Sequence, residues 1–376
     1  MYSEEHRLLQ QSIKKFAEKE ITPNISKWEE DKFFPNEIFK KLGNEGFLGI
    51  LLDEEWGGVG GDFLMAAAWC EEFGQVNSVG FSVAVNMHSL VITPTVARYA
   101  TKEEKEKWLT PAVAGELIGA YAFTEPGAGS DLSAIKTKAV KDGNDYILTG
   151  SKIFITNGAR ADFVLVLAVT DPTKGYEGFS TFLVDTKLPG FSVNRTLDKI
   201  GWHCSDTAEL NFDGVRLPAS TLLGKENEGW QQAMQSLEWE RLMLTLTSIA
   251  GARKCLEQTT TYIQQRKVFG KRVVDFDYNA NLLADMLSKL DAATAQAHHC
   301  LKLLNAGKRC RKEVSLAKLY GCELAIKIAN KCLQLHGGYG YTNEFPPERW
   351  LRDLRLNTIG GGTSEIMAQV AYKELL

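Results

Sequence analysis

Positive charge is in short supply in this chain. Its 376 residues hold 43 Lys and Arg against 47 Asp and Glu, a formal net charge of −4. That balance offers no basic surface for nucleic acid or for an anionic membrane. Cysteine is sparse as well. Cys70, Cys204, Cys255, Cys300, Cys310, Cys322 and Cys332 are odd in number, scattered, and form no C-x-x-C. The pattern argues against a disulfide framework and reads as reduced thiols, mostly core filler. No apolar run approaches the length of a membrane-spanning helix. The opening Met1-Tyr-Ser-Glu-Glu-His6 is polar and acidic, with no signal-peptide pattern. The expected location is cytoplasmic, or the mitochondrial matrix for a processed eukaryotic chain. Internal repeats, low-complexity segments, a P-loop, a G-x-S-x-G elbow and a metal-ligand set are all absent. His298 and His299 are adjacent, diverge by about 100° on a helix, and suit a shared metal poorly.

What the chain does have is core material, with 44% of residues hydrophobic and 24% charged, enough for two or three domains. Residues 1–118 read as helical. In Ser3–Ile21, Leu8, Leu9, Ile13, Phe16 and Ile21 recur at helical spacing, and Pro23 is expected to end that helix. Phe63–Phe73 and Val91–Tyr99 are further expected helices. Glu54–Gly61 is a Gly-rich loop, but no strand–turn–helix frames it as a dinucleotide fingerprint. Over 119–226 the period changes to two. Asp145–Thr156, Asp162–Thr170 and Ser180–Asp185 are β-rich, and Lys141-Asp-Gly-Asn-Asp145 signals a hairpin. Over 227–376 the pattern is helical again. One long helix is expected at 230–265, a second near 278–305, and a third near 312–335 with Leu316, Leu319, Leu324, Ile326 and Ile328 as its apolar candidates. Gly337-Gly338 closes the third, and Ser364–Leu376 is a short last helix. The fold class is α+β: an N-terminal helical domain (1–118), a middle antiparallel β-domain (119–226) and a C-terminal helical domain (227–376).

The organising stretch is Tyr121-Ala-Phe-Thr-Glu-Pro-Gly-Ala-Gly-Ser-Asp131. Pro126, Gly127 and Gly129 make a bend where backbone can approach a ligand, and Thr124, Ser130 and free N–H groups can donate to its oxygens. A Gly-rich turn between domains is the plainer reading of the turn alone. The whole string resembles the flavin-binding signature of the acyl-CoA dehydrogenase family, and matches continue over about residues 3–376. The resemblance implies that family's fold, with a C-terminal four-helix bundle, and FAD as cofactor.

In that resemblance Tyr121, Phe123, Thr124, Gly129 and Ser130 contact the flavin. Phe154-Ile155-Thr156 matches a W-I-T segment against the flavin ring, with Thr156 toward N5; taken alone, Phe154 reads as an aromatic on the buried face of a strand. Arg266-Lys-Val-Phe-Gly-Lys271 matches R-x-x-F-G-x, so Arg266 and Phe269 face the dinucleotide. Gln334-Leu-His-Gly-Gly338 matches Q-x-x-G-G, so Gln334, Gly337 and Gly338 meet the flavin across a subunit interface. Thr363-Ser364-Glu365 matches T-S-Q, with Glu365 in place of Gln. Asp277 also departs from the usual Gln, which leaves one adenosine-end hydrogen bond of the family without its usual donor.

The implied reaction removes a proton α to a thioester carbonyl and a hydride from the β-carbon. It needs a carboxylate in a dry pocket and donors for the enolate oxygen. Many members supply the base from an E-G-T-S motif, and the matching position here is Gly361, which has no side chain. A subgroup that includes isovaleryl-CoA and long-chain dehydrogenases supplies it from an E-R pair on the long helix, and Glu240-Arg241 falls there. Glu240 shares its helix sector with Leu237, Met243 and Leu244; Glu238 points about 200° away. The Gly361 N–H is expected to hold the thioester oxygen. Ser130, Glu238, Arg241 and Gly362 make the expected substrate-side set, and Trp239 and Val83–Leu90 are candidates to shape the pocket. The resemblance also implies an acyl-CoA substrate, an electron-transfer flavoprotein as acceptor, and a homotetramer built as a dimer of dimers. Two alternatives stay open: a dehydrogenase or oxidase for a carrier-protein-bound thioester, and a non-catalytic acyl-CoA or flavin binding protein.

Overall fold

Local sequence chemistry sets where the N-terminal helices start. A computed structural model describes residues 2–376. Helix α1 (Glu4–Phe16) opens on a capping box between Ser3 and His6, with Glu4 and Glu5 in its first turn and Lys14 and Lys15 in its last. Helical backbone persists as a π-helical segment to Ile21, and Pro23 lies in the 3₁₀ turn that follows. Then come α2 (Ile25–Asp31), α3 (Glu37–Asn44) and α4 (Phe63–Phe73), the last capped by the Asp62 carboxylate on the Leu64 and Met65 N–H groups. α5 (Val79–Asn86), a π-helical stretch Met87–Ile92 and α6 (Thr93–Tyr99) form one continuous run. The short α7 (Lys102–Glu104) and α8 (Thr110–Val113) complete the domain.

That run corrects two expectations. The helix foreseen at Val91 begins at Val79. All eight residues of α5 are buried, so it carries no amphipathic period to betray it. Val79–Tyr99 is also long and apolar enough to cross a membrane by length and composition, but 94% of its most apolar window is buried inside the protein. It is a core helix, packed between α9 and the sheet. Pro94 is tolerated because the widened π turn before it relieves the clash its ring would make one turn back.

The middle domain is a seven-stranded sheet of β1 (Gly119–Ala122), β2 (Lys138–Asp142), β3 (Asp145–Thr156), β4 (Phe163–Val169), β5 (Phe179–Asp185), β6 (Phe191–Thr196) and β7 (Thr207–Pro218). The order is β1-β4-β2-β3-β7-β6, with β5 also on β4. Most pairings are antiparallel, including the β2–β3 hairpin; β4 meets β1 and the start of β2 in parallel. β6 and β7 were not expected from the sequence.

The C-terminal domain holds α9 (Gly229–Gln265), a two-residue-strand hairpin of β8 (Lys267–Val268) and β9 (Lys271–Arg272), α10 (Asp277–Asn305), α11 (Arg311–His336), α12 (Pro346–Asn357) and α13 (Ser364–Lys373). α11 ends at Gly337, whose φ is +61°. Its buried face takes in only two of the expected apolar residues, Leu324 and Ile328. Leu316 is exposed, Leu319 and Ile326 are half-buried, and the core-facing residues are Val314, Ala317, Lys318, Gly321, Leu324, Ala325, Ile328 and Cys332. Small residues let α11 lie close on α9: a Cβ at Gly321 would stand 2.9 Å from Thr245 Cγ2. α12 was not foreseen; its Trp350 is buried against α9. All seven cysteines are buried and unbridged.

Candidate active site

The signature loop is built around a buried ion pair. After β1 the chain turns tightly, with Glu125 and Ala128 exchanging backbone hydrogen bonds across Pro126-Gly127. The Glu125 carboxylate accepts from the N–H groups of Lys136 (2.7 Å) and Thr137 (2.9 Å) and from Lys152 Nζ (2.9 Å). Lys152 is 0% exposed and also donates to the Phe123 carbonyl. Burial works against the Glu125 carboxylate, but Lys152 and the amide donors outweigh it and hold its pKa below the usual range. Burial pushes the Lys152 ammonium down to about 8. Neither residue was among the expected site residues. A lysine in a strand reads as solvated, and only its position two residues before Phe154 hinted otherwise.

Above this anchor the loop offers open space. A Cβ at Gly127 would meet nothing within 4 Å, and one at Gly129 only Thr124 Cγ2 at 3.9 Å. Ser130 is exposed and Thr124 half-buried. The Ile153 N–H donates to the Thr124 carbonyl, tying the loop to β3. Next along β3 the ladder with β7 breaks into a bulge, and there Phe154 has φ +63° and is 64% exposed. Phe154 is therefore not on a buried strand face. A bulky residue at positive φ is costly, and a phenyl ring presented to solvent from that strained position fits a planar ligand stacked on it. Thr156, half-buried, follows where pairing resumes opposite Thr207. Tyr121 and Phe123 pack ring to ring at 4.1 Å, and the Tyr121 hydroxyl lies 3.4 Å from Ser236 Oγ on α9.

One turn beyond Ser236 on α9 is Glu240. Opposite it is the loop Thr358–Thr363, with Gly361 at φ +65° and Gly362 at φ +106°. A Cβ at Gly361 would stand 3.5 Å from Glu240 Oε1, 3.0 Å from Leu244 Cδ1 and 3.6 Å from Lys318 Cε. The glutamate on α9 thus brings its carboxylate to where a side chain at 361 would begin. Burial pushes the Glu240 carboxyl above the usual carboxylate range, against the opposing pull of Arg241 and Lys318. The Gly361 N–H has no hydrogen-bond partner among the described residues. Arg241 is buried and its Nε donates to the Gly361 carbonyl at 3.0 Å.

Glu238 is placed apart, as its helix position requires. Its Oε1 accepts from the N–H and the thiol of Cys310, both at 3.2 Å, at the start of α11. Thr363 caps α13 through the Ile366 N–H, and Glu365 is exposed on the first turn of that helix. A cavity of about 460 Å³ adjoins the site, walled by Leu90, Tyr99, Gln235, Ser236, Trp239 and Phe63. Leu90 and Trp239 are therefore wall residues, whereas Val83 packs in the core.

The remaining expected residues form a second group. Arg266 caps the far end of α9, about 39 Å along the helix axis from Glu240. With Gln334, Gly337, Gly338, Tyr262 and His336 it lines a cleft of about 500 Å³, where Tyr262 and His336 stack at 4.2 Å. Phe269, at the tip of the β8–β9 hairpin, is 97% exposed with φ +50°. Within one chain, Arg266 and Glu240 thus lie toward opposite ends of α9.

Family models for the acyl-CoA dehydrogenase N-terminal, middle and C-terminal domains match residues 3–116, 120–215 and 227–376. The long-chain specific acyl-CoA dehydrogenase of Mus musculus mitochondria is 40% identical over 378 residues, covering 100% of this chain and 87% of that one. The caffeyl-CoA reductase-Etf complex subunit CarC of Acetobacterium woodii is 38% identical over 376 residues, covering 100% and 99%. A glutaryl-CoA dehydrogenase from Mycobacterium smegmatis, solved in complex with FADH2, superposes with a TM-score of 0.94 at 33% identity, covering 100% and 95%.

Proposed function

Because the chain belongs to the acyl-CoA dehydrogenase family, we propose that it converts an acyl-CoA to the trans-2-enoyl-CoA with Glu240 as the base. The family's oxidoreductase chemistry is α,β-dehydrogenation of acyl thioesters, and its cofactor is FAD. The observation that carries the assignment of Glu240 is its carboxylate oxygen 3.5 Å from the Cβ place of Gly361. The family motif lacks its usual carboxylate at 361, and α9 supplies one to the same point. Burial strengthens it as a base by disfavouring its ionised form.

The protein's part in the reaction follows from the groups around that point. Glu240 takes the proton from the α-carbon. The free N–H of Gly361 donates to the thioester oxygen, where charge grows as the proton leaves. Arg241 holds the Gly361 carbonyl and keeps further donors for the phosphates of coenzyme A, and Ser130 sits on the exposed rim for the same ligand. The loop at Gly362 lies beside Arg241 on that side. Glu238 leaves the substrate-side set, since its carboxylate oxygen is engaged by Cys310. The acyl chain extends past Ser236 and Trp239 into the adjoining cavity.

FAD, when bound, accepts the hydride from the β-carbon. The residues fit such a group: Phe154 offers an exposed ring and Gly127 and Gly129 leave the loop surface clear, and the family resemblance assigns Tyr121, Phe123, Thr124, Ser130 and Thr156 to the same cofactor. Arg266, Phe269, Gln334, Gly337 and Gly338 would serve the far end of a neighbouring chain's cofactor, and Thr363 and Glu365 flank the site at the start of α13. That division of labour calls for a second chain, and the homotetramer we propose, a dimer of dimers, follows from the family resemblance. The electron acceptor we propose is an electron-transfer flavoprotein, in keeping with the Etf-complex relative.

The test is anaerobic mixing of the flavin-loaded protein with a panel of acyl-CoAs. Wild-type protein is expected to lose its oxidised-flavin absorbance with at least one of them. Glu240→Gln should bind the same acyl-CoA and reduce slower by about 10²- to 10⁴-fold. Unchanged reduction in that variant would remove Glu240 from the role.

A further inference from the structure

Lys318 is a buried cation without an anion. It lies on the core-facing side of α11 at 1% exposure, and no carboxylate stands within ion-pair distance of it among the described residues. Isolating a charge in this way is expensive unless its donors are well used. They are: Nζ donates to the carbonyl of Asn357, the last residue of α12, at 2.9 Å, and to the carbonyl of Gly362 at 2.7 Å. Asn357 is in turn held to α9, its Nδ2 donating to Ser248 Oγ at 2.7 Å.

These bonds fall on either side of the active-site loop. Gly361 and Gly362 both have left-handed φ values that other residues rarely adopt. Their consecutive carbonyls are each gripped by a cation, Gly361 by Arg241 and Gly362 by Lys318. With both carbonyls held toward α9 and α11, the two peptide planes that follow Gly361 are anchored, and they fix the Gly361 Cα from which the preceding plane, carrying its free N–H, extends. Lys318 Cε and Glu240 Oε1 both lie within 3.6 Å of the Cβ place of Gly361, so the ammonium stem forms the wall facing the carboxylate.

We infer that Lys318 is a positioning residue of the reaction, anchoring the loop that directs the Gly361 N–H to the thioester oxygen while its charge favours the ionised form of Glu240. The inference rests on the proposed acyl-CoA chemistry. The charged and titratable groups facing Glu240 are Arg241 on its own helix, Lys318 on α11 and Tyr121 on β1; Arg311 and Cys322 act on the two cations from α11. Lys318 and Arg241 oppose the effect of burial on Glu240. Removing Lys318 should therefore raise the pH at which the base becomes available. It should also weaken binding of any ligand that carries negative charge on the thioester oxygen.

The experiment compares Lys318→Met and Lys318→Gln with wild type, as flavin-loaded protein, using two ligands. A 3-oxoacyl-CoA binds as its enolate and reports the oxyanion contact; the matching 2-enoyl-CoA carries no such charge. Lys318→Met should lose enolate affinity by about tenfold or more, with the enoyl-CoA affinity changed by less than about threefold. The acid limb of kcat/KM should move to higher pH. Lys318→Gln, which keeps donors but not charge, should show the same move of the acid limb with a smaller loss of enolate affinity. Equal weakening of both ligands, or an unmoved acid limb in a variant that retains flavin, overturns the inference. If Lys318→Met does not fold, the Lys318→Gln acid limb decides. Wild-type protein that neither binds the enolate nor is bleached by any acyl-CoA defeats the functional reading itself. A competent wild type with an indifferent Lys318→Met defeats only the role of Lys318.

Discussion

At the scale of single residues, Gly361 shows why a missing side chain can be as informative as a present one. Its φ of +65° is one that an L-residue adopts at a cost of roughly 1–2 kcal/mol. A methyl there would also press on Leu244 Cδ1 at 3.0 Å. Gly361→Ala is therefore expected to destabilise the fold by about 1–3 kcal/mol, read as a lower denaturant midpoint at unchanged slope. It should slow flavin reduction as well, because the added carbon fills the space beside Glu240. Full reduction rate at reduced stability would show that this space is not used by substrate. The sequence made Glu240 and Gly361 legible together through their motif positions. Phe154 was legible as a residue type only, because its positive φ and exposure arise from a bulge that depends on the partner strand.

At the scale of elements, the loop from Thr124 to Asp131 has little regular structure to hold it, and its shape comes from one buried side-chain pair. Lys152 and Glu125 satisfy each other, two backbone N–H groups and the Phe123 carbonyl, all out of reach of water. Removing one partner strands the other. Lys152→Met should cost about 3–5 kcal/mol and loosen flavin retention, measured as a lower melting temperature and as cofactor lost on gel filtration. A melting temperature near wild type would mean that Glu125 finds other partners or takes a proton at little cost. This anchor was hidden from sequence reasoning because charged residues are presumed solvated. A related blindness affected the helices. α5 is buried on every face and α11 packs through Ala, Gly and Cys as well as through Leu324 and Ile328, so apolar periodicity pointed to the wrong start for one and to only part of the buried face of the other. Long helices with ordinary termini, α9 and α10, were read from sequence nearly to the residue.

At the scale of the whole molecule, the separation of the two cofactor-facing groups has a consequence for assembly. About 39 Å of α9 lies between Glu240 and Arg266. In the proposed assembly a complete site draws its ring end from one chain and its far end from another. Asp353 joins the three domains of one protomer, accepting from the N–H groups of Val79 and Trp202, and because Glu240 and Arg266 stand on one continuous helix no domain movement brings them together. Consider two defective chains, one carrying Phe154→Ser at the ring end and the other Arg266→Ala at the far end. Each forms assemblies in which every site lacks one contact. In a mixed two-fold pair, one site collects both defects and the other collects none. Equal mixing of unfolded chains followed by assembly should thus restore about a quarter of the sites to wild-type flavin affinity. Mixing of preformed assemblies without exchange should restore none. Recovery of tightly bound flavin in the mixture, absent from either variant alone, is the expected outcome. No recovery in mixtures shown to contain hybrid pairs would mean that each chain completes its own site, and the second cleft, at Arg266 and Gln334, would need another ligand.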